Sequence, residues 1–263
     1  MFRPLAVFFF TFLSAINLPL DIWAQVGDFT YAHGGIIRAD QRQPRIALVF
    51  TGHEHAEGGE EILAALQNHQ VKASFFFTGD FYRNKEFHPL IQSIKNQGHY
   101  LGAHSDRHLL YCDWDDRGRL LVTKEAFRQD VAVNYEEMRK FGVGEKQAKY
   151  YLPPYEWYND SISHWTEEMG LQLVNFTPGT RSNADYTIPD MPNYLSSESI
   201  FRHILSYEVQ DPNGLNGFIL LLHIGVGPER ADKFHKLLPQ LLQTLKDRNY
   251  SFVQINELLE QTP

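Results

Sequence analysis

The sequence contains one cysteine, no excess of positive charge and no low-complexity run. Because Cys112 has no second cysteine in the chain, an intramolecular disulfide is excluded. Aspartate and glutamate number 32 against 24 lysines and arginines, which gives a net charge of −8. That balance provides no basic footprint for nucleic acid or for an anionic lipid surface, so we expect neither as a partner.

Residues 1–24 have the layout of a secretory signal peptide. Arg3 precedes an apolar run that begins at Leu5 and is too short to span a bilayer comfortably, and Ala24 occupies the expected cleavage position. An uncleaved anchor is the alternative. We expect export to the periplasm or the extracellular space, no stable membrane insertion after cleavage, and one domain over residues 25–263.

Short, nearly continuous apolar segments recur along the rest of the chain, as expected for strands buried on both faces of a parallel sheet. They occupy residues 46–50, 71–77, 99–103, 149–152, 171–176, 217–222 and 250–255. Helical patterns lie between them, at 59–69, 85–97, 123–138, 159–169 and 231–248. Pro239 should kink or restart the last of these helices.

The alternation of seven strands with helices predicts a βα barrel with fewer strands than the usual eight. A doubly wound open sheet is the competing architecture. Five strands are followed directly by polar or special segments, at 51–57, 104–108, 153–157, 177–180 and His223. Since βα barrels build their active sites at the C-terminal ends of their strands, this placement favours the barrel and locates a candidate site at that rim.

Two of these rim residues, His104 and His108, are four positions apart in the segment GHYLGAHSDRH. That spacing allows both imidazoles to face one divalent cation. The chain has 12 histidines, so the spacing alone is weak evidence, and its position at a strand end is what gives it weight.

Together the motifs resemble the polysaccharide deacetylases of the NodB-homology type, carbohydrate esterase family 4, from about Ile46 to Leu259. GHYLGAHSDRH resembles the family's His-Ser/Thr-x-x-His motif, and GFILLLH resembles its Leu-x-Leu-His motif, which ends here in His223. YLPPY at 151–155 lies where the family has Arg-x-Pro-Tyr, and RNYSFVQINELL resembles the terminal strand and helix. The resemblance implies an α/β fold, a distorted (β/α)7 barrel.

The chain departs from the family pattern in two places. Thr51 and Gly52 align with an Asp-Asp pair, of which one is a general base and the other a metal ligand, and Leu152 aligns with the arginine that holds the base. Joint loss avoids leaving an unpaired charge in a pocket, and it fits either a rewired or a disabled site. The titratable residues that follow, His53 and Glu54, favour rewiring.

Two imidazoles, one carboxylate and an open fourth position form a standard hydrolytic zinc site. We assign His104 and His108 as the nitrogen ligands and Glu54 as the oxygen ligand, with His53 as the alternative. The expected cofactor is a divalent metal, in the first place Zn²⁺, which would polarise an acetyl carbonyl and acidify a water.

The resemblance also implies roles for the remaining rim residues. His223 protonates the leaving amine or alcohol, and the backbone N–H of Tyr155, positioned by Pro154, holds the oxyanion. Trp157 suits stacking on a sugar ring, although a packed aromatic cluster is an equal alternative.

The general base has no counterpart of the family aspartate. We assign His53 to this role, and the alternatives are Glu54, if it binds no metal, and Asp106 between the paired histidines. Asp106 is better suited to orienting a ligand histidine or to capping the turn.

The expected function is metal-dependent removal of N- or O-linked acetyl groups from a carbohydrate polymer or oligomer. A catalytically inactive, glycan-binding protein on the same scaffold is the rival hypothesis, because the Asp pair and its arginine are missing. Hydrolysis of a peptide or cyclic amide is a third possibility, since its acyl chemistry is the same.

Overall fold

The computed structural model describes residues 23–26 and 28–260, so the predicted signal peptide lies almost entirely outside the described residues. Within them, ten strands form one mixed sheet. The strands β1 to β10 are Trp23–Val26, Phe29–Ala32, Gly35–Arg38, Arg45–Gly52, Ser74–Phe77, Tyr100–Ala103, Tyr150–Tyr151, Gln172–Leu173, Phe218–His223 and Ser251–Val253. Their order is β1-β2-β3-β9-β4-β5-β6-β7-β8, with β10 beside the beginning of β4.

Strand β4 is the centre of the sheet. It pairs in parallel with β9 on one side and with β5 on the other, and its residues 46–52 are buried. The sequence IALVF has no alternating polar residue, and this is because helices or barrel interior cover both faces of the strand.

The sheet curls until its two sides meet. Strand β3 runs antiparallel to β9 through the pair Arg38 and Phe218, and Ile36 forms a parallel bridge to Val174 just beyond β8. The Asn175 N–H donates to the Ile36 carbonyl over 2.8 Å. The predicted distorted barrel is therefore confirmed, and β3 closes it.

Eight helices lie within the described residues. The helices α1 to α8 are Gly59–Asn68, Gly79–Arg83, His88–Asn96, Lys124–Arg139, Asp160–Glu168, Ser197–Gln210, Leu238–Asp247 and Ile255–Leu259. The side-chain oxygens of Thr123 and Asn159 accept hydrogen bonds from the backbone N–H groups of Ala126 and Ile162, and so they cap the N-termini of α4 and α5. The predicted helical patterns begin at the same two positions. None of the helices in the described part of the chain is long and apolar enough to cross a bilayer.

All seven predicted strands are present, and the differences lie in the helices and at the beginning of the chain. The predicted helix 231–248 divides into a 3-10 turn at Phe234–Leu237 and α7, in which Pro239 occupies the first turn. Strands β1 to β3 and helices α2 and α6 were not predicted. Strand β3 contributes only Ile36 and Ile37 as an apolar run, which is too short to register as a strand pattern.

Candidate active site

His104 lies directly after β6 at the C-terminal rim of the barrel, and two hydrogen bonds hold it there. Its backbone N–H donates to the Asn134 side chain of α4 over 2.8 Å, and its ring Nδ1 hydrogen-bonds to the Leu152 carbonyl over 2.8 Å. A carbonyl only accepts, so Nδ1 carries the proton and the Nε2 lone pair is directed elsewhere. Burial lowers the pKa of His104 to about 3, which keeps the imidazole neutral.

His108 reaches the same place through a strained turn. Ser105 and His108 both have positive φ angles, 71° and 54°, and the His108 N–H donates to the Ser105 hydroxyl over 2.9 Å. The ring centroids of His104 and His108 are 5.1 Å apart. Burial, with the neighbouring imidazoles of His104, His53 and His223, lowers the pKa of His108 to about 2. Both members of the predicted pair are thus neutral and adjacent.

The loop after β4 brings His53 to this pair and leaves Glu54 outside it. The His53 ring stacks on His108 at 4.8 Å between centroids, and its Nδ1 hydrogen-bonds to the Thr78 hydroxyl over 3.1 Å. The Glu54 side chain is 73% exposed and lies 3.9 Å from the Nε2 of His53. His53, the alternative third ligand, is therefore the nearer of the two candidates to the histidine pair.

Within the described residues, no three histidine, cysteine, aspartate or glutamate side chains are arranged as a metal site. The pair itself suits a divalent metal, because two neutral imidazoles are adjacent and the tautomer of His104 leaves Nε2 available. The assignment of Glu54 as the third ligand stays a prediction.

Apolar packing closes the tip of β4. A Cβ at Gly52 would lie 2.8 Å from Ile224 and 2.9 Å from Phe77, so these two residues leave no room for a side chain at this position. Thr51 is buried, and within the described residues its hydroxyl has no hydrogen-bond partner. Leu152 is fully buried, and its carbonyl accepts the hydrogen bond from His104.

His223, the last residue of β9, is held by Asp185 from the 3-10 turn Ser182–Tyr186. Its Nδ1 lies 2.6 Å from one carboxylate oxygen, and its backbone N–H donates to the other over 2.9 Å. Burial opposes protonation, but the Asp185 carboxylate outweighs it and raises the pKa of His223. The role of Asp185 is not visible in the sequence, because 38 residues separate it from His223.

Glu156 is a second carboxyl at this rim that the sequence analysis did not identify. It follows Tyr155, and both residues have positive φ angles, 53° and 59°, which bulky L-residues rarely adopt. The Asn175 amide donates to the Glu156 carbonyl over 2.8 Å and holds this conformation. Burial raises the pKa of Glu156 to about 7, and the His223 imidazole and the Asp185 carboxylate are the charged neighbours.

Asp106 is committed to an ion pair away from the imidazoles. Its carboxylate accepts from Arg83 of α2 over 2.6 Å and lies 3.4 Å from Arg107. Because this buried carboxylate is already paired with Arg83, it is poorly suited to act as a general base, and its predicted role at the turn stays a prediction.

Of the three residues predicted to contact substrate, Tyr155 lies against His108. The Tyr155 ring lies 4.3 Å from the His108 ring and is 43% exposed, whereas Pro154 beneath it is buried. The Trp157 indole N–H donates to the Asp113 carbonyl over 3.1 Å. The structure thus brings together His53, His104, His108, Tyr155 and Pro154, and it adds Asp113 as the anchor of Trp157.

Similarity to known proteins was found along most of the chain. The family model for polysaccharide deacetylase matches residues 38–174. The uncharacterized protein YlxY of Bacillus subtilis is 25% identical over 86% of this chain, which spans 61% of the length of that relative. A peptidoglycan-N-acetylglucosamine deacetylase of Bacillus cereus is 23% identical, covering 89% of this chain and 74% of its own.

Solved structures share the fold. The Bc1960 peptidoglycan N-acetylglucosamine deacetylase superposes with a TM-score of 0.68 at 20% identity, over 86% of this chain and 92% of its own. BA3943, a pseudoenzyme of carbohydrate esterase family 4 from Bacillus anthracis, gives 0.67 at 17% identity, over 88% and 70%. An acetyl xylan esterase from Clostridium thermocellum, solved with a cobalt ion, gives 0.62 at 24% identity, over 81% and 89%.

The superpositions on solved structures establish the fold of the chain, and the match to the family model also shows its family. It begins at β3, includes the histidine pair and the turn at Tyr155, and covers more than half of the residues. The distorted barrel, the two histidine motifs and this match together show that the chain belongs to the polysaccharide deacetylase family.

Proposed function

We propose that this protein is a metal-dependent hydrolase that removes acetyl groups from a carbohydrate polymer or oligomer. One observation carries the proposal: a carboxylate-held histidine, His223, lies beside the neutral pair His104 and His108. Asp185 raises the pKa of His223 and so favours its proton-donating form, whereas burial keeps His104 and His108 in the neutral form that can bind a metal. The family and the names of its relatives indicate the class of substrate.

His104 and His108 would hold the divalent metal, zinc by preference for imidazole ligands. When bound, such a metal supplies a Lewis acid for the acetyl carbonyl and lowers the pKa of a water. The cobalt ion in the acetyl xylan esterase of the same fold supports a divalent metal without selecting zinc.

The protein's own groups would carry the proton transfers. His53, stacked on His108, accepts a proton from the attacking water, and the Tyr155 N–H stabilises the oxyanion at the turn that Pro154 fixes. His223 then protonates the leaving nitrogen or oxygen. The Asp185 carboxylate favours the protonated form of His223, which is the form that a general acid requires.

Both N-acetyl and O-acetyl groups suit this chemistry, since each leaving group accepts one proton from His223. The signal-peptide layout of residues 1–24 supports action outside the cytoplasm, in the periplasm or the extracellular space. Names of relatives such as the peptidoglycan-N-acetylglucosamine deacetylase of Bacillus cereus support a cell-wall glycan as the first substrate to test.

A non-catalytic, glycan-binding protein is the second candidate function. Two observations favour it: apolar side chains pack closely around Gly52, and Leu152 occupies the position that aligns with the family's arginine. The shared fold of the BA3943 pseudoenzyme supports the same alternative.

Acetate release separates these two functions. Metal-loaded protein is incubated with peptidoglycan and with N-acetylglucosamine oligomers, and acetate is measured before and after chelation. We expect release that stops with the chelator and falls at least a hundredfold in His223→Asn, since general acid catalysis contributes about 10²–10⁴-fold. His164→Asn, an exposed histidine of α5, is the control and should retain full activity. Glycan binding without acetate release would support the second candidate and overturn the first.

A further inference from the structure

Two polar side chains of α4 are bonded to the turn that carries the histidine pair. Asp130 and Asn134 are four residues apart on this helix, so they lie on the same face, and both are buried. Buried polar side chains are tolerated where they have hydrogen-bond partners. Here the partners include backbone groups of the turn at residues 104–108.

Asn134 holds the beginning of the turn. Its side-chain oxygen accepts the His104 N–H over 2.8 Å, and its side-chain amide donates to the Phe77 carbonyl over 3.1 Å. Phe77 is the last residue of β5, the strand next to the one that leads into the turn. Asn134 therefore fixes His104 relative to the neighbouring strand.

Asp130 holds the other end of the turn. One of its carboxylate oxygens accepts the Arg107 N–H over 3.1 Å, one residue before His108. Ser105 and His108 have left-handed backbone conformations, which cost free energy unless the surroundings enforce them. The bonds from the two α4 side chains reach the turn directly before each of these strained residues, and so they enforce its shape.

The same carboxylate connects the turn to β7. Its second oxygen accepts the Tyr111 hydroxyl over 2.5 Å, and this hydroxyl lies 2.9 Å from the Tyr151 hydroxyl. All three side chains are buried. Tyr151 directly precedes Leu152, whose carbonyl accepts the proton of His104 Nδ1. Asp130 thus links the turn to the segment that sets the tautomer of one imidazole.

We propose that Asp130 and Asn134 are positioning residues of the metal site. Acting through the backbone of the turn and through β7, they hold the two imidazoles of the histidine pair in the geometry that a divalent metal requires. Loss of either side chain leaves both imidazoles in the protein but no longer fixes their separation and direction. Groups that orient metal ligands typically contribute about 10–100-fold to metal affinity. This inference rests on the proposed function, because it concerns the metal of the same site.

Cobalt binding tests the assignment without any turnover. Co²⁺ is titrated into metal-free protein, and its visible absorption gives both the affinity and the coordination geometry. We expect Asp130→Ala and Asn134→Ala to bind cobalt about 10–100-fold more weakly than the parent, with an altered spectrum. Asp130→Asn keeps an acceptor for the Arg107 N–H and a polar partner for Tyr111, so it should restore most of the affinity and the parental spectrum.

Val131→Ala is the matched control, because Val131 is buried on the same helix and has no polar group that could bond to the turn. It should unfold more readily than the parent, since packing is lost, and yet bind cobalt with the parental affinity and spectrum. Circular dichroism checks that each variant is folded during the titration. Tyr111→Phe keeps a buried ring and breaks only the link to β7, so it should also weaken cobalt binding, even where an alanine variant fails to fold.

The outcomes separate this inference from the proposed function. Parental cobalt affinity in Asp130→Ala or Asn134→Ala would overturn the assignment of that residue, and an equal loss in Val131→Ala would reduce the effect to general destabilisation and overturn both. In each case the parent still binds cobalt, so the proposed function stands. A parent protein that binds no cobalt would overturn the proposed function and this inference with it.

Discussion

The carboxyl groups at the barrel rim have different charged neighbours, and these neighbours decide their roles. Asp185 is bonded to His223, and Asp106 is bonded to Arg83. In the part of the chain that the structure describes, the charged neighbours of Glu156 are His223 and Asp185, and burial raises its pKa to about 7. Its charge acts on His223, whose pKa it raises further.

Replacing Glu156 by glutamine should therefore move the pH profile of the enzyme. His223 must be protonated to act as an acid, so activity is lost as the pH rises through its raised pKa. Removal of the neighbouring charge lowers that pKa, and the alkaline limb of kcat should shift to lower pH. The measurement is kcat against pH for Glu156→Gln, with the exposed Glu167→Gln of α5 as control. An unchanged alkaline limb would show that Glu156 does not act on His223.

Individual functional residues were predictable where a motif is contiguous. His104 and His108 lie in one segment, and His223 ends an apolar strand, so each could be assigned from the sequence. Asp185 and Glu156 could not, because their partners come from other strands of the barrel. The left-handed conformation of Glu156 is likewise invisible in a sequence that shows no glycine there.

Packing between neighbouring elements closes the tip of β4. At this tip, the space beyond Gly52 is filled by Phe77 of β5 and by Ile224 after β9. A side chain at position 52 would therefore have to displace residues from both neighbouring segments.

Gly52→Ala tests this packing. The added methyl group meets two apolar side chains at less than 3.0 Å, so the free energy of unfolding should fall by about 1–3 kcal/mol. Gly144→Ala is the control, because a Cβ there makes only ordinary contacts, at 3.6 Å or more. Chemical denaturation measures both variants. If Gly52→Ala is as stable as the parent, the space beyond Gly52 can hold a side chain and the packing argument is wrong.

A buried histidine between β5 and β6 makes the fold sensitive to acid. The Nδ1 of His99 accepts the Ala73 N–H over 3.2 Å, and burial lowers its pKa to about 4 from an ordinary value near 6.5. The neutral form is therefore favoured by folding. Its contribution is complete above pH 6.5 and is lost as the pH falls from there toward 4.

We expect His99 alone to account for about 2 kcal/mol of the stability lost between pH 7.5 and pH 5. His99→Asn keeps an acceptor for Ala73 and removes the titration, so this variant should lose that much less on acidification. Urea unfolding at the two pH values makes the comparison, and the exposed His164→Asn is the control. An equal loss in His99→Asn and the parent would contradict the assignment.

Secondary structure was predictable where the apolar pattern is long. Seven apolar runs predicted seven strands, and the helical patterns predicted from residues 123 and 159 begin where Thr123 and Asn159 cap α4 and α5. The early strands were missed because their runs are short and because Arg38, buried against Asp211, resembles a surface residue in the sequence. Tertiary pairing, which the sequence does not display, stabilises these elements.

The whole molecule is a barrel that gathers residues from four strand ends onto one rim. Strand β4 brings His53, β6 brings the histidine pair, β7 brings Tyr155, and β9 brings His223. The registers of β4 with β5 and with β9 fix these ends at one level. This arrangement brings side chains from four separate segments of the chain to one place.

The proposed metal-dependent hydrolysis requires, above all, that His104 and His108 hold a metal. Elemental analysis after dialysis against zinc, followed by removal of free metal, measures this directly. We predict one zinc per chain in the parent protein and in His164→Asn, and none in His104→Ala or His108→Ala. Parent protein that retains no zinc, or a His104→Ala variant that retains a full equivalent, would contradict the central claim.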